Sequence, residues 1–137
     1  MPAMIRRFRC HARAFVVALS MVIVTLGCGG ERREDHVKQT LARTDRAVLF
    51  REAERVWKQR RSNWSEELPA GEWPEVFRTF RPQKVMIDRT GVFVCTHSFF
   101  VREEGLFVAL DPAFRPRETA SSYEHFGGVF YWYDMND

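Results

Sequence analysis

Cysteine is scarce in this 137-residue chain: three are present, Cys10, Cys28 and Cys95, and no Cys-x-x-Cys pair occurs. A disulfide scaffold and a paired-thiolate zinc site are both excluded, because each needs cysteines recurring at short spacing. Proline and glycine number only six and eight, too few for a collagen-like or linker-type chain. Acidic residues are missing from the first thirty positions. No uncharged apolar run reaches the roughly 20 residues that cross a bilayer, which excludes a polytopic membrane protein. Internal repeats and low-complexity tracts are absent as well. What remains, 45% hydrophobic and 28% charged, is the composition of one small globular domain.

The uneven part is the N-terminus. Arg6, Arg7, Arg9 and Arg13 precede thirteen uncharged residues, Ala14 to Leu26, which end at Gly27-Cys28-Gly29-Gly30. A polar run, Glu31-Arg32-Arg33-Glu34-Asp35, follows. A basic start, a short apolar core and small residues at its end make an export signal. The arginines stay on the cytoplasmic side while the apolar stretch enters the membrane.

Thr25-Leu26-Gly27-Cys28 resembles the bacterial lipobox, with Thr25 and Leu26 in interchanged order. The resemblance implies cleavage before Cys28, acylation of that cysteine with palmitate-like chains, and a lipoprotein anchored in the bacterial cell envelope. The organisation expected is then a signal peptide 1–27, a tether 28–36 and one domain 37–137. The alternative is an uncleaved single-pass signal anchor with the same membrane address.

Cleavage recasts the charge. The whole chain carries 21 basic and 18 acidic residues, net +3; residues 1–27 hold four arginines and no acid, so the remainder is 17 against 18, net −1. Nucleic-acid affinity rests on clustered Lys and Arg that displace phosphate counterions. The one dense basic group left, Lys58, Arg60 and Arg61, sits where the negative end of a helix attracts cations. A nucleic-acid partner is excluded. Cys95 remains alone, so no internal disulfide forms and the domain rests on its core.

From Glu34 to about Asn63 the chain has no Pro or Gly. Leu49, Ala53, Val56 and Trp57 recur on one helical face with Phe50 at its edge, while Arg51, Glu54, Lys58 and Arg61 take the other. The spacing predicts one long N-terminal helix. Val37 and Leu41 stand among charges at its start, which reads as a solvated approach to the membrane. Pro69, Gly71, Pro74 and Pro82 punctuate the next stretch, where Pro74 opens a short helix turning Val76, Phe77 and Phe80 inward. Alternation predicts strands over Lys84–Asp88, Val92–Val101, Leu106–Leu110 and Val129–Tyr133, with Glu103-Glu104-Gly105 as a hairpin loop. The expected fold is α+β, a long helix followed by a small antiparallel sheet of about four strands.

Candidate chemistry is sparse. Cys95 and His97, two apart on a strand, share a face in regular alternation, and with His125 they are the candidate residues of a small enzyme or metal protein. Neither a Gly-x-Ser-x-Gly elbow nor a second paired-ligand motif accompanies them. A buried cysteine more simply packs as a small hydrophobe. No motif implies a cofactor, and the reading is non-enzymatic. Thr119–Gly128 reads as a polar loop with Ser122, Glu124 and His125, in which Gly127 and Gly128 turn the chain into the last strand.

Aromatic residues are plentiful: twelve Phe, four Trp and three Tyr. Trp64 and Trp73 flank the Pro/Gly stretch, and Phe130-Tyr131-Trp132-Tyr133 makes both faces of the final strand aromatic. An antiparallel strand ordinarily turns one face to water. Trp64, Trp73, Tyr131, Trp132 and Tyr133 are therefore the candidate binding residues, and a protein or another envelope component is the candidate partner. Arg81-Pro82 ahead of Val85, Thr90-Gly91-Val92 and Trp132-Tyr133-Asp134 resemble segments of small exported bacterial proteins of uncharacterised function. That likeness implies export and carries no activity with it.

Overall fold

The computed structural model describes residues 33–60, 65–116 and 121–136. Cys28, the signal segment and Trp64 lie outside the described residues. Among the described residues no helix is long and apolar enough to cross a membrane.

Helix α1 spans Arg33–Arg43 and α2 spans Arg46–Gln59. The single long helix expected from the absence of Pro and Gly is therefore two, and the cause of the break is chemical. Asp45 leaves the helical conformation at φ −66° and ψ 105°, and its carboxylate accepts from Ala47 N at 2.9 Å and Val48 N at 3.2 Å. Thr44 Oγ1 donates to the Thr40 carbonyl at 2.7 Å. Side chains that offer the backbone their own hydrogen bonds end one helix and start another without any Pro or Gly. In α2 the stripe Leu49, Ala53, Val56 and Trp57 is buried, as its spacing requires. Val37 and Leu41 of α1 are buried too, so this stretch packs into the core and is not a solvated approach.

The strands are β1 (Glu66–Glu67), β2 (Lys84–Ile87), β3 (Gly91–Phe99), β4 (Arg102–Ala109), β5 (Ser121–Gly127) and β6 (Phe130–Asn136). They form one antiparallel sheet in the order β1-β2-β3-β4-β6-β5. The α+β class with an antiparallel sheet stands, with six strands in place of about four. β1 hides in the Pro/Gly stretch because it is two residues long. β5 hides because an edge strand with one face polar reads like a loop. A short helix α3, Glu75–Arg78, follows Pro74 and buries Phe77, as expected, with Phe80 buried just beyond it.

The central hairpin also departs from the expectation. Glu103, Glu104 and Gly105 lie inside β4, and the turn is Phe100-Val101, between the paired residues Phe99 and Arg102. Gly105 serves closeness and not a turn: a Cβ there would lie 2.1 Å from the Val94 carbonyl oxygen, beside an irregularity in β3. Gly127 and Gly128, at φ 100° and 62°, do make the β5–β6 turn.

The two faces of the sheet differ. On one side α1, α2 and α3 pack against Val85, Ile87, Val94, Leu106, Phe130 and Trp132. On the other, no helical residue of the described chain joins the cluster of Phe93, Cys95, Phe107, Ala109 and Tyr133. Replacing Asp45 with Ala should cost about 1 kcal/mol, the usual worth of such a cap. Urea unfolding reads the change, and an Asp45→Ala chain as stable as the wild type contradicts the capping account.

Candidate functional site

The helix-free face exists because the central strands are apolar on both sides. Along β4, Leu106 and Val108 face the helices while Phe107 and Ala109 face away; along β6, Phe130 and Trp132 face the helices while Tyr131 and Tyr133 face away. The outward set forms a continuous ring lattice. Phe93 stacks on Phe107 at 4.3 Å between centroids and meets Tyr133 edge-on at 5.2 Å. Tyr123 of β5 lies 5.7 Å from Phe107 and 6.3 Å from Tyr131, and His125 lies 4.9 Å from Tyr131. Offset and edge-on ring pairs of this kind add about 0.5–1.5 kcal/mol each beyond their burial.

A strap, residues 110–116, covers part of this lattice. Leu110 N and Asp111 N both donate to the Thr90 carbonyl, at 2.8 and 3.0 Å, and Ala113 N donates to Asp111 Oδ1 at 2.8 Å. Thr90 is itself held by Asp88, whose Oδ1 accepts from Thr90 N, Thr90 Oγ1 and Gly91 N at 2.7, 2.6 and 3.0 Å. This fastening sets Phe114 4.9 Å from Phe107 and 5.6 Å from Tyr131. An open groove of about 570 Å³ runs beside it, lined by Asp88, Thr90, Phe93, Phe114, Arg115 and Tyr123 among others. Aromatic walls with a few charged and hydroxyl groups at the margins are the usual composition of a binding cleft. A smaller hollow of about 230 Å³ lies between α1 and β5, beside Lys38 and Glu124, which are already paired at 2.7 Å.

The titratable groups behind the lattice are held neutral. Burial pushes the Cys95 thiol above its ordinary pKa, and the thiol donates to the His97 carbonyl at 3.1 Å. Burial, reinforced by the neighbouring Cys95, pushes the Tyr133 hydroxyl far up, and this oxygen finds no hydrogen-bond partner of its own. Tyr123 is raised by burial and then by the Asp88 carboxylate. A protonated, enclosed thiol is a poor nucleophile and a poor metal ligand.

The sequence candidates are dispersed. The register of β3 on β4 shifts between Cys95 and His97: Cys95 pairs with Gly105, and His97 pairs with Glu104. The extra residue sends His97 to the helix side while Cys95 stays on the lattice side, so regular alternation misplaces one of them. His125 sits over Tyr131, its Nε2 2.9 Å from the Gly128 carbonyl. Among the described residues no group of three His, Cys, Asp or Glu side chains converges on a metal position.

Of the aromatic candidates, Tyr131 is half-buried in the lattice, Tyr133 is buried beneath it and Trp132 is buried under the helices. Trp73 is half-buried against the helix-side core, and its Nε1 donates to the Leu68 carbonyl at 2.8 Å. Trp64 and Cys28 lie outside the described residues. Sequence reasoning passed over Phe93, Phe107, Phe114 and Tyr123; the period of two in Tyr123-Glu-His125-Phe was the available signal for the last.

Charge fastens the sheet to α1. Glu104, buried to 4% exposure, meets Arg102 at 2.6 Å and Arg33 at 3.5 Å, and Arg102 also bonds Asp134 at 2.7 Å. Lys38 bridges Glu34 and Glu124; the hydrogen bonds it donates to those carboxylates, Glu124 first, raise its pKa, and Lys38 in turn holds Glu124 below its usual range.

The chain matches no protein-family model, no curated protein and no solved structure.

Two measurements check the buried pair. An unpaired buried hydroxyl costs about 1–3 kcal/mol, so Tyr133→Phe should leave stability unchanged or raise it; a clear loss contradicts the unpaired state. Cys95 and Tyr133 hold their protons more tightly folded than unfolded. Their contribution is therefore complete below the free thiol's pKa and is lost as pH climbs through roughly 8.5 to 10 and beyond. Urea midpoints should fall over that range, less steeply in Tyr133→Phe, and Cys95 should resist a thiol reagent until the chain unfolds.

Proposed function

We propose that this chain is an exported, membrane-anchored binding module of the bacterial envelope, and that its helix-free aromatic face receives the partner. The single observation that carries the reading is the half-covered lattice: Tyr123 and Phe114 line an open groove and Tyr131, in ring contact with both, stays partly accessible, while the helix side of the sheet is packed. Aromatic side chains with one wet edge are what interfaces and sugar-stacking sites use.

Binding is favoured over catalysis by the state of the reactive groups. Cys95 is enclosed and protonated, His97 faces the other side of the sheet, and His125 is spent on a backbone carbonyl and a tyrosine ring. A nucleophile needs an accessible base within hydrogen-bond reach, and none of these pairs supplies one. The partner is a protein or another envelope component whose flat apolar groups lie against Tyr131 and Tyr123. The membrane address rests on the N-terminal segment with its lipobox-like Thr25-Leu26-Gly27-Cys28.

Metabolic labelling with an alkyne fatty acid should mark the wild-type chain and leave Cys28→Ala unmarked; undiminished label in that variant removes the lipid from Cys28. Truncating an aromatic anchor at an interface commonly costs 2 kcal/mol or more, about thirtyfold in affinity. Tyr131→Ser should therefore release the chain's envelope partner in co-sedimentation with purified envelope fractions. Retention equal to wild type, with the fold intact by circular dichroism, overturns the aromatic face as the binding surface.

A further inference from the structure

The β3–β4 turn breaks the rule the rest of the surface follows. Phe99, Phe100 and Val101 are 63%, 89% and 58% exposed, and they are three of the four exposed large hydrophobic side chains among the described residues. They are contiguous, and the rings of Phe99 and Phe100 meet edge-on at 4.6 Å, so the tip is a preformed apolar knob. Phe100 also holds φ at 51°, a left-handed conformation at a turn position where glycine is the comfortable residue. A bulky side chain kept there, in water and in a strained backbone, is a feature that folding alone disfavours.

What lies beside the tip indicates its occupant. Three residues after Val101, Glu104 binds Arg33, the first residue of α1, so the described chain starts at the end of the sheet that carries the tip. Cys28 precedes Arg33 by five residues and Leu26, the end of the apolar segment, by seven. Extended chain covers at most about 3.6 Å per residue, so those atoms stand within about 18 and 25 Å of Arg33. Whether the anchor is lipid on Cys28 or the apolar segment itself, the chain that leads to it joins the domain at the end of the sheet that carries the tip.

The opposite end of the sheet, at the β5–β6 turn, is about 20 Å away along the strands. There Arg46 meets the Phe126 carbonyl at 3.2 Å, and Ala47 beside it is exposed. Immediately after Val101 come Arg102, Glu103 and Glu104, with Asp134 bound to Arg102. Three apolar residues followed by this charged collar allow insertion to the depth of the headgroup–acyl boundary and no deeper.

We propose that the Phe99-Phe100-Val101 tip is a second membrane contact, inserted into the interfacial layer of the bilayer that holds the N-terminal anchor. The proposal rests on the membrane-anchored reading above and adds an orientation to it. The tip and Arg33 point toward the lipid, the sheet stands upright, and the aromatic face looks along the membrane surface.

Photo-crosslinking in cells tests this with the full chain, using benzoylphenylalanine in place of Phe100 and, in a separate chain, in place of Ala47. Position 100 should yield a phospholipid adduct, identified by its mass, and position 47 should yield none. Membrane fractionation of the same cells reads the anchor separately. A chain that fractionates with membranes but gives no lipid adduct at position 100, or gives one equally at position 47, overturns the tip contact and leaves the anchor. A discrete protein adduct at position 100 in place of lipid also overturns it, by making the knob a protein contact. A chain absent from the membrane fraction overturns both.

Discussion

Strands β3, β4 and β6 are apolar on both faces, and everything else in the fold answers that constraint. A sheet of this kind exposes two hydrophobic surfaces at once, at roughly 25 cal/mol for each Å² left in water. α1, α2 and α3 close one of them with Val37, Leu41, Leu49, Val56, Trp57 and Phe77. Among the described residues no helix packs on the second. The chain fills that face with large rings instead, and draws the strap over part of them through Thr90 and Asp88. Helical cover on one side and a partial strap on the other leave an aromatic surface with an edge in water, and that asymmetry is the basis of the functional reading.

Charges act at the margins of this arrangement and not at its centre. Lys38 joins α1 to the edge strand β5, Arg60 joins the end of α2 to Glu66 and Glu72, and Glu104 with Arg33 and Arg102 locks the start of α1 to β4. The exposed pairs among these, such as Lys38 with Glu124, contribute little stability individually, and their value here is positional. Together the pairs set the helices in register over the sheet and bring the N-terminal end of the described chain beside the β3–β4 turn. On the helix-free face, burial keeps Cys95 and Tyr133 neutral, and the half-buried rings are the part of the lattice that the proposed function uses.

Much of this was legible in the residues. The α2 stripe, the inward Phe77 and Phe80, the β2 alternation and the turn at Gly127-Gly128 all follow from period and turn chemistry, and each was found where expected. The departures have local causes. Asp45 caps a new helix inside a stretch whose lack of Pro and Gly predicts continuity. Phe100 took the left-handed turn position while Gly105, the obvious turn residue, was spent on close packing against Val94. One shifted register between Cys95 and His97 reversed a face, which no count of residues along a strand reveals. The aromatic face itself was half legible: Tyr131 and Tyr133 stood out in their run, whereas Phe93, Phe107 and Phe114 joined them only through pairing of distant strands.

The central claim is that the helix-free face, and not the helix side, meets the partner. Site-specific cross-linking in living cells from Tyr131, compared with Arg55 on the outer surface of α2, tests it most directly. The account predicts a discrete envelope adduct from position 131 and none from position 55. An adduct from position 55 with position 131 silent would contradict it.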